Sequence, residues 1–384
     1  MLKINSKLYD RIYIILLVLP VILLGLAVLY LVSFQAQHGD IIGKDVSLTG
    51  GTSVTVTAKD FDKDKIEAAL EEEFGDVFFR ELSDFRTGAR KGFIVEVNAQ
   101  PEEVKKALEK ALGFELTQEN SSVEFSGAAL SAGFYNQLKN SVFAAFLLMG
   151  WTVFLMFGKS KVAKSISAML TASSISLLLL NISTIKFLAI SSIIAAFIYG
   201  LVKSKTNKEY LSTFVVGVVS FGMIFFGSQI LALPVALALF AIYGIYSVPS
   251  LAVIFAALAD IVMTVAAVDL LGMKLSLAGV TAFLMLIGYS VDTDILLTTR
   301  VLKSEGKSIN ARIFDAFKTG ITMTLTSFAA VFIALLITRS LSETLNQIFT
   351  ILLLGLGFDI INTWLTNASI IKWYAERHKD EIKA

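Results

Sequence analysis

Long apolar runs separated by short polar loops make up most of this chain, and one polar stretch of about 90 residues near its start interrupts them. A helix needs roughly 20 mostly apolar residues to cross the hydrocarbon core of a bilayer. The pattern therefore predicts a polytopic α-helical membrane protein with about ten transmembrane helices. The runs are Tyr13–Ser33, Val142–Phe157, Ile166–Leu180, Phe187–Val202, Phe214–Ile230, Ala232–Tyr246, Leu251–Leu271, Leu275–Leu297, Ile321–Ile337 and Leu345–Trp373.

The first run begins after basic residues, as a signal peptide would. It is too long for the apolar part of a typical signal peptide, and no small-x-small cleavage site follows it. We therefore expect an uncleaved membrane anchor. The runs between Lys164 and Val248 are shorter, and Pro234 and Pro249 interrupt them.

The polar stretch from Gln35 to Ser126 predicts a small α+β domain. Its 19 acidic and 11 basic residues leave an excess of eight acidic charges, which we interpret as a solvated surface. The predicted order of elements, strand, helix, two strands and helix with a weaker last strand, resembles a ferredoxin-like split βαβ motif. The elements are Val46–Thr57, Asp60–Phe74, Val77–Leu82, Gly92–Val97, Pro101–Leu112 and Ser122–Phe125.

Basic residues in the loops predict the orientation of the chain. If ten helices cross the membrane, the most basic loops fall on the same side as both chain ends. The positive-inside rule makes that side cytoplasmic, so both termini are expected in the cytoplasm and the α+β domain outside it. We expect a multi-pass protein of the cell membrane. The residues are Lys3, Lys7, Arg11, Lys159, Lys161, Lys164, Lys203, Lys205, Lys208, Arg300, Lys303, Lys307, Arg312, Lys318, Lys372, Arg377, Lys379 and Lys383.

The composition excludes several kinds of site. The chain is 55% hydrophobic, has no cysteine and has two histidines, His38 and His378. A disulfide framework and a thiolate zinc site are therefore impossible, and two histidines do not build a conventional histidine-based metal site. The α+β domain has no serine–histidine–aspartate set and no glycine-rich phosphate cradle. We expect no metal, no cofactor, no enzymatic activity and no nucleic-acid partner.

Four aspartates lie inside the predicted helices: Asp260, Asp292, Asp294 and Asp359. An ionised side chain in hydrocarbon is costly, so such residues usually have a function. A carboxyl group in a low-dielectric site tends to keep a proton, which is what proton coupling requires. We interpret the four as candidate proton-coupling residues. The alternative is that they are neutral acids that join neighbouring helices by hydrogen bonds.

Other polar residues of the last four predicted helices have supporting roles in this interpretation. Arg300 lies two turns beyond Asp292, near the cytoplasmic face, and the hydroxyls of Thr322 and Thr324 are able to bridge helices or pass protons. We interpret Asp269 and Asn362 as interfacial or helix-packing residues. Small residues near the aspartates favour close packing, so these helices are predicted to form a compact bundle with a polar centre.

Five segments of the chain match the motifs of one known family. The first two are Thr49-Gly50-Gly51-Thr52, and Val248–Val253 followed by Ala259-Asp260-Ile261. The third is Leu286–Asp294, which contains Gly288, Tyr289 and Ser290 and continues to Arg300. The last two are Lys318–Thr324, and Asp359 with Thr363–Leu365. Over about residues 1–157 and 248–375 the chain resembles the SecF family, and its archaeal branch most closely. The stretch from Leu286 to Arg300 is the most specific of these matches.

The resemblance implies a six-helix unit related to resistance-nodulation-division transporters, with one outer domain after the first helix. It implies an accessory subunit of protein export that works with SecD and the SecY translocon on an unfolded secretory polypeptide, using the proton-motive force. Asp260 and the pair Asp292 and Asp294 occupy motif positions, and Arg300 ends the motif.

The chain departs from the family in two places. Residues 158–247 have no counterpart in a six-helix SecF and have room for four extra helices, an even number that preserves the topology. Bacterial members commonly have a histidine where this chain has Ala259, which argues against a histidine-assisted proton relay at Asp260. The predicted domains are a tail and first helix (1–34), the outer domain (35–126), the second family helix (127–157), the inserted segment (158–247), the four-helix core (248–375) and a cytoplasmic tail (376–384).

Three other functions remain open from the sequence. A resistance-nodulation-division exporter subunit is one, although such proteins usually have an outer domain in each of two halves. An intramembrane aspartyl protease is another, since Gly355-Leu-Gly357-Phe-Asp359 resembles its Gly-x-Gly-Asp motif, but Phe358 separates the second glycine from the aspartate. The third is a scaffold that holds SecD and the translocon together without coupling to protons.

Overall fold

The computed structural model describes residues 6–75, 77–83, 87–179, 183–338 and 342–378, and the chain ends 1–5 and 379–384 lie outside that part. The described chain is mostly helical, with one four-stranded sheet. The helices are α1 (Ser6–Leu16), α2 (Val18–His38), α3 (Val46–Thr49), α4 (Lys63–Phe74), α5 (Pro101–Leu112), α6 (Ala128–Phe157), α7 (Lys161–Leu178), α8 (Ser183–Lys203), α9 (Asn207–Phe226), α10 (Ala232–Tyr246), α11 (Val248–Leu270), α12 (Leu277–Lys303), α13 (Ile309–Thr338), α14 (Glu343–Ile361) and α15 (Ala368–Arg377). The strands are β1 (Gly51–Val56), β2 (Val77–Ser83), β3 (Arg90–Val97) and β4 (Ser121–Ser126).

Nine helices in the described part of the chain are long and apolar enough to cross a membrane. They correspond to all the predicted runs except Ile166–Leu180. That run forms α7, whose five serines and Thr171 are all buried against other helices. Whether α7 also crosses stays a prediction, and with it the even number of crossings and the cytoplasmic position of both termini.

The polar stretch folds into a sheet with two helices on one face. The strands lie in the order β2-β3-β1-β4, and every neighbouring pair is antiparallel. Burying each large apolar side chain of the core contributes roughly 1.5–3 kcal/mol. The core between sheet and helices contains Val54, Val56, Phe93 and Val95 from the strands and Ile66, Leu70, Val104 and Leu108 from α4 and α5. Because strand side chains alternate between faces, Phe78, Arg80, Ile94 and Glu96 point away from this core, toward α14 and the loop between α11 and α12.

The first predicted strand, Val46–Thr57, is wrong in its first half. Residues Val46–Thr49 form the short helix α3, because the Asp45 carboxylate accepts the N–H of Ser47 at 2.9 Å and caps the turn. The alternation of Val46 and Leu48, which suggests a strand, instead places Leu48 in the core. The other predicted strands and helices of this domain are confirmed, with α4 beginning at Lys63 after its cap Asp62.

Gly50 and Gly51 join α3 to β1 in backbone conformations that other residues rarely adopt, with φ values of 88° and 128°. A Cβ on Gly50 would lie 2.4 Å from the Cα of Ala128, at the start of α6. A Cβ on Gly51 would lie 2.5 Å from the carbonyl oxygen of Val97, on β3. The two glycines therefore let the chain pass between the start of α6 and the sheet. Gly51 also pairs with Ser126, so the strands that enter and leave the domain are neighbours.

Hydrogen bonds join the segment before the sheet to the helices that carry the aspartates. We call residues 43–47 the junction segment and residues 271–276 the α11–α12 loop. The Asp45 N–H donates to the Leu275 carbonyl at 3.0 Å, and the Leu275 N–H donates to the Gly43 carbonyl at 2.7 Å. The Leu277 N–H donates to Ser47 Oγ at 3.1 Å, and the Gly43 N–H donates to Asp269 Oδ1 at 3.1 Å. The end of α11 and the start of α12 are thus bonded to the chain that leads into the sheet.

A buried lysine holds the other end of the bundle together. Lys372 of α15 is fully buried and donates to Asp10 Oδ1 of α1 and, at 2.5 Å, to Asn310 Oδ1 of α13. Its ammonium group also lies 4.5 Å from the ring centre of Tyr9. A buried charge is tolerated only when it is paired and hydrogen-bonded, and these contacts meet that condition while joining three helices.

We expect Gly50→Ala and Gly51→Ala each to destabilise the protein. The left-handed conformation of a non-glycine residue costs roughly 1–3 kcal/mol, and the clash with backbone atoms adds to it. Gly222→Ala in α9 is the control, because its Cβ would meet nothing within 4 Å. Thermal unfolding of the purified protein in detergent measures the effect. Equal melting temperatures for all four proteins would contradict this account of the motif.

Candidate functional site

Polar side chains from four helices and a π-helical turn meet inside the bundle. Asp260 comes from α11, Asp294 from α12 and Asp359 from α14, and all three are fully buried. Small residues bring these helices together: a Cβ on Gly355 of α14 would lie 2.4 Å from the side chain of Leu286 on α12. The other members of the cluster are Ser290, Thr293, Thr324, Asn362, Thr363 and Asn367. We call these nine residues the acidic cluster.

Asp260 is held by donors from two neighbouring helices. Ser290 Oγ donates to Asp260 Oδ2 at 2.5 Å, and Asn362 Nδ2 donates to Asp260 Oδ1 at 2.7 Å. Asn362 Nδ2 also lies 3.6 Å from the sulfur of Met263, one turn further along α11. Both carboxyl oxygens of Asp260 therefore accept hydrogen bonds from groups that carry no charge.

Asp294 and Asp359 share a threonine. Thr363 Oγ1 lies 2.9 Å from Asp294 Oδ1 and 3.0 Å from Asp359 Oδ1. Asn367 Nδ2 donates to Asp294 Oδ1 at 2.7 Å, and Thr293 Oγ1 lies 2.9 Å from Asp359 Oδ1. Thr324 Oγ1 of α13 lies 3.4 Å from Asp359 Oδ2, so a fourth helix reaches the same group.

The helix that follows Asp359 changes its winding. Residues Asn362–Asn367 form a π-helical turn between α14 and α15. A π-turn bonds residue i to residue i+5, and such turns are frequent at functional sites. Asn362 and Asn367, five residues apart, therefore both reach the cluster, one contacting Asp260 and the other Asp294.

The cluster has too few hydrogen-bond donors to satisfy three ionised carboxylates. Thr363 has one hydroxyl hydrogen and two carboxyl oxygens within reach. Thr293 Oγ1 lies 2.9 Å both from Asp359 Oδ1 and from the Ser290 carbonyl, which only accepts. In the described part of the chain, Asp294 Oδ2 and Asn367 Oδ1 have no hydrogen-bond partner although both are buried. A proton on Asp294 Oδ1 or on Asp359 Oδ1 would supply a missing donor toward Thr363 Oγ1.

The surroundings of the cluster offer no countercharge. Among the described residues, no lysine or arginine is a hydrogen-bond or ion-pair partner of Asp260, Asp294 or Asp359. Within the same part of the chain, no group of three or more metal-ligating side chains is placed to hold a metal ion.

The structure separates the residues predicted from the sequence into two groups. Asp260, Asp294, Asp359, Thr324 and Ser290 meet in the cluster. Asp292 does not: its side chain is exposed on the opposite face of α12, together with Gly288 and Tyr289. Thr322 is exposed and donates to the Lys318 carbonyl of its own helix, and Arg300 lies in the last turn of α12. Gly50 and Gly51 lie at the junction with the sheet.

Sequence reasoning misses four members of the cluster: Thr293, Asn362, Thr363 and Asn367. Asn362 is interpreted from the sequence as a packing residue, and Thr363 only as part of a family pattern. A signal for the last helix is present, since Asp359, Thr363 and Asn367 recur every fourth residue along it. The inward position of Asn362 depends on the π-turn, which the sequence pattern does not reveal.

Comparison with known proteins confirms the resemblance to SecF. The family described as protein export membrane protein SecD/SecF, C-terminal, matches residues 198–377, which include part of the predicted inserted segment. The chain is 50% identical over 135 residues to protein-export membrane protein SecF of Methanocaldococcus jannaschii, covering 34% of this chain and 48% of that protein. It is 51% identical over 132 residues to SecF of Methanothermobacter thermautotrophicus, covering 34% of this chain and 46% of that protein. The chain thus spans about half the length of the curated relatives it matches.

A solved structure shows the same fold. The crystal structure of SecDF, a translocon-associated membrane protein from Thermus thermophilus, superposes with a TM-score of 0.55 at 13% identity. The superposition covers 95% of this chain and 38% of that one. At this identity the likeness concerns the fold alone.

We expect the purified protein to hold at least one protonated carboxyl group at neutral pH, because the cluster lacks hydrogens without it. Infrared spectroscopy detects the carbonyl stretch of a protonated carboxyl. This band is expected to weaken in Asp294→Asn and Asp359→Asn and to persist in Asp292→Asn, whose side chain is outside the cluster. A wild-type spectrum without the band would contradict the hydrogen count.

Proposed function

We propose that this chain, which carries the SecD/SecF C-terminal family in residues 198–377 and resembles archaeal SecF, is an accessory subunit of the Sec protein-export machinery in the cell membrane. In this proposal it works with SecD beside the SecY translocon on an unfolded secretory polypeptide. It has no enzymatic activity of its own. The names of its relatives and its nine candidate membrane helices, counted over the described residues, support this assignment.

The acidic cluster is the proposed site of proton coupling, and its burial without a cation is the observation that carries this proposal. Leaving a charge at membrane depth costs several kcal/mol by the milder estimates. Asp260, Asp294 and Asp359 therefore favour states in which protons neutralise them. Taking up or losing one proton changes which oxygen donates and which accepts, so the hydrogen bonds between α11, α12 and α14 must rearrange.

Thr363 is the proposed switch between two arrangements. Its single hydroxyl hydrogen can go to Asp294 or to Asp359, and the protonated one of the two acids supplies the second bond. A proton moving between these acids would reverse the direction of both hydrogen bonds. A ligand, here a proton, shifts the equilibrium between two states only by the difference in its binding free energy to them.

The junction segment is the proposed connection to the outer domain. The α11–α12 loop joins the helices that carry Asp260 and Asp294, and it is bonded to residues 43–47. Gln347 of α14, the helix that carries Asp359, accepts the Ser276 N–H at 3.1 Å and donates to the Lys274 carbonyl. A shift of these three helices would therefore move the junction segment and, through Gly50 and Gly51, the sheet. Movement of the sheet domain would limit backsliding of the emerging polypeptide.

Two acidic residues make the junction itself sensitive to pH. Burial raises the pKa of Glu96 to about 7, and the neighbouring Asp45 carboxylate adds to the rise. Burial also raises the pKa of Asp45 to about 6, against the opposing effect of its hydrogen bonds from Ser47. Lys274 and Arg80 are the cations whose charges oppose the rise at Glu96. Because the folded junction keeps protons that the unfolded chain loses, its stability falls as pH rises from about 4.5 to about 7.

The remaining parts of the proposal concern the outer domain and the partner. The element order β1-α4-β2-β3-α5-β4 and the strand order β2-β3-β1-β4 support a ferredoxin-like domain outside the cytoplasm. Asp292 lies exposed within a candidate membrane helix, next to Tyr289. A carboxylate facing lipid is unfavourable, so we propose that SecD covers this face of α12 and supplies a hydrogen-bond donor.

We expect Asp260→Asn, Asp294→Asn and Asp359→Asn each to lose the gradient-dependent part of export, because asparagine cannot take up and release a proton. The assay measures secretion by vesicles that contain SecD and this chain, with and without an imposed proton gradient, at matched abundance. Export with the gradient should fall to the level measured without it.

Asp315→Asn is the control for this assay, because Asp315 pairs with Lys307 near the start of α13, outside the acidic cluster. It is expected to secrete like the wild type in both conditions. If the three cluster variants also secrete like the wild type, the carboxyl groups are packing residues and the scaffold function replaces proton coupling.

We expect Glu96→Gln to remove the pH dependence of the junction. In the wild type, raising the pH from about 6 to about 8 ionises Glu96 beside Asp45 and loosens the contact, since the pKa of Glu96 is about 7. The chain has no cysteine, so spin labels on Lys106→Cys and Leu270→Cys report only the distance between sheet and bundle. The wild-type distance distribution should broaden as the pH rises, and that of Glu96→Gln should not. Glu124→Gln, which changes an exposed acid of the same sheet, is the control. The assignment of the pH dependence to Glu96 would be refuted if the broadening persisted in Glu96→Gln and disappeared in Glu124→Gln.

A further inference from the structure

The helices of the inserted segment form a groove against α6. A cavity of about 740 Å³ lies between α6, α7 and α8. Its walls are mainly apolar, and small residues on α7 and α8 keep it open. Among the lining residues are Trp151, Leu155, Ala168, Ile175, Leu188 and Ala195.

The groove opens toward the region that lipid occupies and has the length of one leaflet. Leu148 and Leu188 on its rim are about half exposed, at 48% and 56%. Lys164 and Ile175 line its two ends, and at about 1.5 Å per residue of helix they are about 16 Å apart. That is about half of the roughly 30 Å hydrocarbon core of a bilayer.

Three lysines gather at one end of the groove. Lys164 Nζ donates to the Leu155 carbonyl at 2.6 Å, near the end of α6. Lys303 Nζ lies 5.6 Å from the ring centre of Phe157, in the last turn of α6. The positive charges of Lys303 and Lys161 add to burial in lowering the pKa of Lys164, so both lysines act on its ammonium group.

This cationic end lacks a partner of opposite charge. Within the described residues, no carboxylate forms an ion pair with Lys161, Lys164 or Lys303. Trp151, one turn before Leu155 on α6, has a buried indole N–H without a hydrogen-bond partner among these residues. An acceptor and a negative charge are therefore missing at the same end of an apolar groove.

We propose that this groove binds one anionic glycerolipid. Its phosphate lies among Lys161, Lys164 and Lys303, and one hydrocarbon chain lies between α6, α7 and α8. The indole N–H of Trp151 is placed below the lysines, at the level of the linkage between headgroup and chain. Charge complementarity selects an anionic headgroup over a zwitterionic one, because lysines near an anionic lipid surface contribute about 1 kcal/mol each.

The bound lipid would connect the inserted segment to the acidic cluster. Lys161 and Lys164 begin α7, whereas Lys303 ends α12, the helix that carries Asp294. A phosphate shared by these lysines would relieve their repulsion and hold the ends of the two helices together. The inserted segment would then act as a lipid-dependent support for α12.

A first experiment uses the unmodified chain and does not depend on export. Phosphatidylglycerol with brominated chains is titrated into the purified protein in detergent, and quenching of tryptophan fluorescence is measured. The chain has three tryptophans. A saturable component of the quenching should disappear in Trp151→Phe. The same quenching by brominated phosphatidylcholine at equal concentration would overturn the requirement for an anionic headgroup.

A second experiment separates the contribution of the lipid headgroup to binding from that of the hydrocarbon chain. Lys164→Gln and Lys303→Gln should each weaken phosphatidylglycerol binding about fivefold, the factor that corresponds to about 1 kcal/mol, as measured by native mass spectrometry. Ala168→Phe, which fills the groove, should abolish binding. Lys208→Gln, at the start of α9 and outside the groove, is the matched control and should bind like the wild type.

Inorganic phosphate distinguishes a lipid site from a simple anion site. At equal concentration it should not displace the lipid, because it lacks the hydrocarbon chain. Displacement by phosphate alone would overturn the proposal, as would unchanged binding in both lysine variants and in Ala168→Phe.

Discussion

The bundle is organised around the need to keep carboxyl groups at membrane depth without a cation. Hydrocarbon does not solvate an aspartate, so each one must be protonated, hydrogen-bonded or both. Asp260, Asp294 and Asp359 meet this requirement together, with hydroxyl and amide groups from α12, α13 and the π-helical turn. The close packing at Gly355 and the change of winding after Ile361 follow from it, because both bring donors within reach of the acids.

The same helices are fixed at the ends that face the sheet domain. α11 and α12 are joined by a short loop, and α14 holds that loop through Gln347. The loop in turn is bonded to the chain that enters the sheet. The cluster and the sheet domain are therefore linked through two backbone hydrogen bonds, together with the side chains of Ser47, Asp269 and Gln347. In the last turn of α12, Lys303 lies over the ring of Phe157 on α6, so α12 contacts other parts of the protein at both ends.

Apolar run length and motif residues predict much of the fold and part of the site. The membrane helices are visible because each run is long enough to cross a bilayer, and α7 is the exception because serines lower its hydropathy while other helices cover it. The helical turn at Val46 is misread because Asp45 caps it, and alternation over so few residues fits either structure. Three of the four predicted aspartates meet, whereas Asp292 points outward because two residues of helix separate it from Asp294 by about 200°. Asn362 is invisible as a cluster residue because its direction depends on the π-turn.

The pairing of β1 with β4 has a consequence for biogenesis. Gly51 lies opposite Ser126, so the hydrogen bonds of the sheet close within one continuous segment that ends just before α6. All the strands and both covering helices are complete when residue 126 has been synthesised. The sheet domain can therefore fold on its own while the ribosome is still making the helices that carry the acidic cluster, and its register does not wait for their insertion.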